Sequence, residues 1–307
     1  VKTVARKHCG TNPCLSSVCL SPCSTRATQQ SRIIIMSLKN QTVFITGASR
    51  GIGRAIALRC ARDGANVVIA AKSNEPHPKL GGSIHSVAAE VEAAGGKALA
   101  ILLDVRDEVA VHQAMKQAAE HFGGIDILIN NAGAIALTNV ENTSLKKYDL
   151  IQSINHRAVF VCSQAALPFL KKSSNAHILS LSPPINLNPK WLTVFAPYTL
   201  SKYGMTLLSI GMAQEFKDYN ICVNTLWPET YIATAAVTNN IANEEAVDIC
   251  RKPEIMADGA WTIITQRQTG QNLTDEQVLR STGVTDFSGY ACNPATIDQI
   301  QKDFFLD

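Results

Sequence analysis

Apolar residues follow two alternating patterns along this 307-residue chain, from about residue 38 onward. In one pattern they form near-continuous runs, which are typical of strands buried on both faces of a parallel sheet. In the other they recur three or four positions apart, which is typical of helices that bury one face. The patterns place strands at residues 42–46, 66–71, 98–103, 125–129, 177–181 and 221–226, with a weaker seventh near 271–273.

The regular alternation of strand and helix, with short connections, predicts the fold class. We expect an α/β fold, with a doubly wound and mostly parallel sheet of about seven strands and helices on both faces, as in Rossmann-like proteins. Residues 73–83 interrupt the alternation with two prolines and two glycines. They are predicted to form a surface loop after the second strand.

The same pattern divides the chain into three segments. Residues 1–37 form an arm with five basic residues and no acidic ones. This composition fits a mitochondrial transit peptide, or a disordered leader that precedes a start at Met36. Residues 38–275 are predicted to form one domain. The apolar periodicity fades in residues 276–307, which are predicted to be a C-terminal extension or a linker to a further domain.

Composition argues against several kinds of partner. The net charge is only +3, and most of the excess lies in the arm, so nucleic acid is not expected as a partner. The longest apolar runs are too short to cross a bilayer, so no integral membrane segment is expected. The nine cysteines form no CxxC pair and the seven histidines show no ligand spacing. We therefore expect thiols in a reducing compartment and no metal site.

Two motifs about 150 residues apart carry the candidate chemistry. The first is the segment Thr46 to Gly53 (TGASRGIG), which follows the first strand and opens a helix. Glycines in such a turn allow a dinucleotide pyrophosphate to approach backbone N–H groups and a helix N-terminus. The second motif pairs Tyr198 with Lys202, four residues apart and hence on one helix face. Together they predict a site that holds a cofactor and moves a proton.

These motifs, in this order, resemble the short-chain dehydrogenase/reductase family. The resemblance also rests on the NNAG sequence at residues 130–133 and on Asn155, and it covers roughly residues 38–274. It implies an enzyme that interconverts an alcohol and a carbonyl by hydride transfer, with Tyr198 as proton donor or acceptor. It further implies that Lys202 lowers the Tyr198 pKa from about 10 and contacts the cofactor ribose, and that Asn155 holds a water in a proton relay.

The charges near the second strand favour NADP(H) over NAD(H). Strand two ends in Ala-Ala-Lys72 instead of an acidic residue that would accept from a ribose 2′-hydroxyl. Arg50 and Lys72 place positive charge where a 2′-phosphate would lie. Asp104 resembles the family's acidic residue near the adenine amine. The predicted cofactor-binding residues are Gly47, Ala48, Ser49, Arg50, Gly51, Ile52, Gly53, Lys72, Asp104, Asn131 and Lys202.

The sequence departs from the family after strand five. Aligning HILSLSPP with the usual pattern puts Pro183 at the position of the catalytic serine. Ser182 is then the candidate catalytic serine, with the amides of Asn186 or Asn188 as alternatives. A second departure is Pro-Glu229 after strand six, where the family commonly has Pro-Gly.

Further segments resemble a particular branch of the family. They are NEPHPKL, SPPINLNPKW and the ending KDFFLD. The resemblance implies a lipid-type substrate, such as a fatty acyl or steroid compound, a peroxisomal or mitochondrial location, and a second, sterol-carrier-type domain. An enoyl-thioester reductase, a non-catalytic module that binds NADP and lipid, and a two-domain lipid-transfer protein remain alternatives. A homo-oligomer is expected, because two predicted helices, at residues 159–170 and 203–216, are more apolar than one sheet face requires.

Overall fold

A seven-stranded sheet forms the centre of the structure, a computed structural model that describes residues 37–76, 78, 80–240 and 244–307. The strands pair in the order β3-β2-β1-β4-β5-β6-β7, and every pair is parallel. The strands are β1 (Thr42–Thr46), β2 (Asn66–Ala71), β3 (Lys97–Leu102), β4 (Ile127–Asn130), β5 (His177–Leu181), β6 (Cys222–Trp227) and β7 (Asn272–Thr274). The predicted doubly wound sheet is confirmed, with strand limits shifted by one or two residues. The predictions for residues 1–36 lie outside the described residues.

Helices cover both faces of the sheet. They are α1 (Gly51–Arg62), α2 (Ile84–Ala93), α3 (Glu108–Phe122), α4 (Leu145–Ile154), α5 (His156–Leu170), α6 (Pro189–Thr193), α7 (Ala196–Glu215), α8 (Ala235–Asn240), α9 (Glu254–Gln266) and α10 (Asp275–Ser281). Apolar residues of α1, α2, α9 and α10 pack in one buried layer, and those of α3, α5 and α7 pack in another. Strands buried between two such layers must be apolar throughout, which explains the continuous runs in the sequence.

Strand order fixes where a ligand can bind. β1 pairs with β2 on one side and with β4 on the other, so the chain winds outward in opposite directions from β1. In sheets of this kind the connections diverge at that point and leave a crevice at the carboxyl ends of the strands. The glycine turn follows β1, which places it at this crevice.

The C-terminal residues pack on the domain. Thr274 and Gln277 form a capping box at the start of α10, and Val278 and Leu279 on that helix are buried. At the end of the chain, Phe305 is only 1% exposed. Residues of the segment 276–307 therefore pack against the domain, and its role as an extension or as a linker to a further domain stays a prediction.

Three further features bear on the sequence predictions. Cys60, Cys162, Cys222 and Cys250 are buried and Cys292 is half-buried, and all five are thiols. Within the described ranges, no cluster of three or more His, Cys, Asp or Glu side chains is arranged to hold a metal ion. No helix in that part of the chain has both the length and the apolar character needed to cross a membrane.

Candidate functional site

A cavity of about 570 Å³ lies at the carboxyl ends of the strands. One end is formed by the glycine turn and by residues that follow β2 and β3. The other end is formed by Tyr198 and Lys202 of α7, with Trp227 at the end of β6. The structure therefore brings the two predicted motifs into one cavity, although they are about 150 residues apart in the sequence.

The glycines of the turn are required by close contacts. Gly47 has a φ of +68°, and a Cβ there would lie 2.9 Å from Ala132 Cα. A Cβ on Gly53 would lie 2.4 Å from the Asn131 amide nitrogen. Gly51 has a φ of +57° at the start of α1. A side chain at these positions would strain the turn or push it away from β4, so the turn keeps a bare backbone beside the cavity.

Not all predicted cofactor residues face the cavity. Gly47, Ser49, Arg50, Gly51 and Ile52 line it. Ala48 is fully buried beneath the turn, and Gly53 packs against Asn131.

Asn131 supports the turn as well as lining the cavity. Its side-chain amide donates to the carbonyl oxygens of Thr46 at 2.8 Å and Gly47 at 3.0 Å. These bonds tie the end of β4 to the glycine turn and fix the backbone that a pyrophosphate would contact.

Three charged residues surround the end of the cavity nearest β2. Arg50 donates from Nη2 to Ser73 Oγ at 2.9 Å and to the Gly82 carbonyl at 3.2 Å, so its guanidinium spans the loop after β2. Lys72 Nζ lies 3.3 Å from an Asp104 oxygen, and Lys72 is 61% exposed. The Arg106 guanidinium holds the pKa of Asp104 well below its usual range, with a smaller effect from Lys72. Arg50 is therefore the more firmly held of the two predicted phosphate contacts.

Asn155 connects two parts of the site. It is fully buried at the junction of α4 and α5, where its amide oxygen accepts from Ala134 N at 2.8 Å. Its amide nitrogen donates to Ser201 Oγ at 2.7 Å, and Ser201 Oγ donates to the Tyr198 carbonyl at 2.7 Å. Asn155 thus links the loop after β4 to the helix that carries Tyr198.

Tyr198 and Lys202 lie one turn apart on α7, and both are buried. Lys202 Nζ donates to the Leu181 carbonyl at 2.6 Å and lies 4.8 Å from the centre of the Trp227 ring. Burial raises the pKa of Tyr198, and the charge of Asp303 acts in the same direction. Burial also lowers the pKa of Lys202 to about 7, an effect that Asp303 opposes.

This balance differs from the expectation that Lys202 lowers the Tyr198 pKa. Removal from water penalises the phenolate, and the charge that acts on Tyr198 is the negative one of Asp303, so both effects raise the pKa. Both effects favour the protonated phenol, which is the form that a proton donor requires.

Ser182 does not lie in the cavity wall. It is fully buried, and its hydroxyl donates to the Lys202 carbonyl at 2.8 Å and bonds to the Thr206 hydroxyl. Both partners belong to α7, so the hydroxyl holds the end of β5 against that helix. The prediction of Ser182 as a catalytic serine gains no support from this geometry.

The two alternative amides also point to other partners. The amide nitrogen of Asn186 donates to the Phe305 carbonyl and to the Asp307 carboxylate, each at 3.0 Å. That of Asn188 donates to the other Asp307 oxygen at 3.2 Å. Both side chains hold the end of the chain in place.

The main feature that the sequence predictions missed is an aromatic cluster at the end of the cavity formed by Tyr198 and Lys202. Its members come from α6, from α7 and the residue before it, from the end of β6 and from the end of the chain. They are Trp191, Phe195, Tyr198, Tyr203, Trp227, Phe304 and Phe305. The Phe305 ring centre lies 5.3 Å from that of Tyr203, 5.8 Å from that of Trp227 and 6.2 Å from that of Tyr198. The FF pair near the end of the sequence was the only signal for it.

The fold and site define a class of protein. A glycine turn at the divergence point of a doubly wound parallel sheet, facing a buried tyrosine and lysine on one helix, is the arrangement of a dinucleotide-dependent oxidoreductase. Comparison with known proteins gives the family. The profile of the short chain dehydrogenase family matches residues 41–245, and this chain belongs to that family.

Individual relatives agree with this assignment. Hydroxysteroid dehydrogenase-like protein 2 of Danio rerio is 54% identical over 268 residues, which cover 87% of this chain and 64% of that protein. The protein of the same name from Xenopus laevis is 52% identical over 269 residues, covering 87% and 63%. A putative dehydrogenase from Xanthomonas campestris, known from its crystal structure, superposes with a TM-score of 0.84 at 50% identity, covering 89% of this chain and all of that one. The chain thus spans less than two-thirds of the length of the two curated relatives.

Proposed function

We propose that this protein is an NADP(H)-dependent oxidoreductase that interconverts an alcohol and a carbonyl on a lipid-type substrate. The observation that carries the proposal is the single cavity that joins the glycine turn to Tyr198 and Lys202. The cofactor, when bound, supplies or accepts the hydride. The glycine turn, which Asn131 fixes in place, would hold its pyrophosphate, and Arg50 and Lys72 would hold its 2′-phosphate.

Proton transfer is assigned to α7. Tyr198 donates its phenolic proton to the carbonyl oxygen during reduction and takes it back during oxidation. The ammonium of Lys202 contacts the ribose and stabilises the phenolate that reduction leaves behind. The aromatic cluster surrounds Tyr198 with apolar surface, which suits a fatty acyl or steroid compound.

An enoyl-thioester reductase is the second candidate, and the region after β5 favours it. Pro183 stands where the family places its catalytic serine, and the Ser182 hydroxyl is bonded to α7. Neither offers a hydroxyl donor to a carbonyl oxygen. An enoyl reductase protonates carbon instead and does not need that donor.

A substrate panel separates the candidates. NADPH oxidation is followed by absorbance with ketosteroids, 3-ketoacyl thioesters and enoyl thioesters, and the carbonyl compounds are expected to be reduced. Turnover of enoyl thioesters alone would support the second candidate. Turnover of nothing in the panel, with tight binding of NADPH and lipid, would support a non-catalytic module. The peroxisomal or mitochondrial location stays a prediction that microscopy of the whole protein would test.

The preference for NADPH rests on Arg50. It lines the cavity, and its bonds to Ser73 and the Gly82 carbonyl hold its positive charge beside the end of β2. Loss of one charge-assisted phosphate contact costs about 1.5–3 kcal/mol, which is roughly a 10- to 150-fold loss in affinity. We expect Arg50→Ala to weaken NADPH binding by that factor and NADH binding only slightly, as measured by fluorescence titration.

The control is Arg54→Ala, one turn further along α1, where the side chain pairs with Glu90. It should leave both affinities unchanged. Lys72→Asp should act in the same direction as Arg50→Ala. Equal weakening of NADPH and NADH in Arg50→Ala, or tighter binding of NADH by the wild type, would contradict the preference.

We also propose that the protein is a homo-oligomer that buries the outer faces of α5 and α7. Phe160 on α5 is 50% exposed, and Leu200 and Leu207 on α7 are 55% and 61% exposed. Such apolar surface is typical of a subunit interface. Light scattering at micromolar concentration is expected to show at least a dimer, and Leu207→Asp is expected to shift it toward monomer. Leu102→Asp, at an equally exposed position on the edge strand β3, should not. A monomeric wild-type protein would contradict the proposal.

A further inference from the structure

The last residues of the chain place a carboxyl group at the end of the cavity formed by Tyr198 and Lys202. Lys302 forms an antiparallel bridge with Thr230, and Asp303 N donates to the Glu229 carbonyl at 3.1 Å. These contacts hold the Asp303 side chain in the same cavity wall as Tyr198 and Lys202. Asp303 is only 8% exposed. A buried acidic side chain needs partners, because isolated charges are costly to remove from water. One partner is the Phe304 N–H, which donates to an Asp303 carboxyl oxygen at 2.6 Å.

Trp227 connects this segment to Lys202. Its indole N–H donates to the Phe304 carbonyl at 3.0 Å, directly after Asp303. The Lys202 ammonium lies 4.8 Å from the centre of the same indole ring. Phe305 then packs against the Tyr198 ring. The C-terminal segment therefore packs against Tyr198 directly and reaches Lys202 through Trp227.

We propose that Asp303 is a positioning residue for the proposed reaction, and that its carboxylate holds the Lys202 ammonium charged and in place beside Tyr198. The proposal rests on the proposed function, because it gives Asp303 a role through Lys202. Asp303 lies beyond residues 41–245, which the family profile matches, so the pattern shared by the family does not assign it a role.

The local electrostatics agree with this role. Asp303 raises the pKa of Lys202 and so opposes the effect of burial. Burial in turn raises the pKa of Asp303, whereas the hydrogen bond from the Phe304 N–H and the charge of Lys202 lower it. Asp275 at the start of α10 also raises the Asp303 pKa. Among the described residues, the other titratable groups coupled to Asp303 or to Asp275 are Tyr198, Tyr231, Cys250, Arg251, Glu276 and Tyr290.

The test is the pH dependence of Asp303→Asn. A carboxylate favours the protonated forms of both Lys202 and Tyr198, so its removal lowers both pKa values. The alkaline limb of kcat/KM for reduction is therefore expected to move to lower pH by about one unit or more. NADPH affinity is expected to fall at high pH as Lys202 loses its proton, which reports on Lys202 without turnover. The pH of this fall is expected to move in the same direction. Asp303→Glu should restore both limbs, and Asp298→Asn, at an exposed acid of the same segment, should change neither.

Different outcomes separate this proposal from the proposed function. A uniform drop in rate or affinity with unmoved limbs would mean that Asp303 is merely structural, and would overturn the proposal. The proposal would also be contradicted if the limbs shift in Asp303→Asn and Asp303→Glu does not return them to their wild-type pH. If the wild type reduces no carbonyl compound but the limb of NADPH affinity still shifts in Asp303→Asn, the proposed function fails and the role of Asp303 stands.

Discussion

Replacing Tyr198 by phenylalanine is expected to reduce carbonyl turnover by about 100- to 10,000-fold, the usual contribution of a positioned proton donor. The variant should fold, because the ring keeps its contacts with Phe195 and Phe305, whose centres lie 6.1 and 6.2 Å away. NADPH affinity should hardly change, since the phenolic hydroxyl is assigned to the substrate. A fall in kcat with unchanged cofactor affinity is the pattern expected when only the transition state loses a contact.

Tyr203 provides the matched control for this variant. It is a second buried tyrosine of α7, and its hydroxyl donates to the Asn186 carbonyl outside the cavity wall. Tyr203→Phe removes that bond and the one that the hydroxyl accepts from Asn186 N, and should lower the free energy of unfolding by about 1–2 kcal/mol, with little effect on rate. Wild-type turnover by Tyr198→Phe on the true substrate would show that the carbonyl-reductase mechanism is wrong, and the enoyl-reductase mechanism would take its place.

Local patterns in the sequence were sufficient to predict the fold and the two motifs that form the ends of the cavity. Buried parallel strands must be apolar at every position, so runs such as Asn66–Ala71 mark strands directly. The glycine turn and the Tyr198–Lys202 pair are also local, since each needs only one turn or one helix face. Parallel strands place such motifs together at their carboxyl ends, which is why one cavity could be expected.

The remainder of the site depends on tertiary contacts that no spacing encodes. Asp303 and Phe304 reach the cavity only because the end of the chain pairs with Thr230 through Lys302. The direction of the Ser182 hydroxyl depends on how β5 meets α7, where Thr206 offers a partner. The pKa of Tyr198 depends on burial by the aromatic cluster, whose members lie in four separate parts of the chain.

Lys202→Met is expected to lose most turnover and to weaken NADPH binding together. The substitution removes the positive charge that stabilises the phenolate of Tyr198 and the group assigned to the ribose. Methionine has a comparable length and no charge, so it can occupy the same buried space against Trp227. Turnover is followed by NADPH absorbance and affinity by fluorescence. A loss of rate with full cofactor affinity would contradict the dual role.

The same variant should change how stability depends on pH. Burial lowers the Lys202 pKa in the folded protein to about 7, whereas an unfolded lysine has a pKa of about 10.4. Between these values the unfolded chain binds more protons, so this lysine makes wild-type stability rise with pH, and Lys202→Met lacks the rise. Urea unfolding at about pH 7 and about pH 9.5 should show the wild type gaining stability relative to Lys202→Met. Lys217→Met, at an exposed lysine, should show the same pH dependence of stability as the wild type. The same pH dependence in Lys202→Met and wild type would show that the Lys202 ammonium is not destabilised by burial.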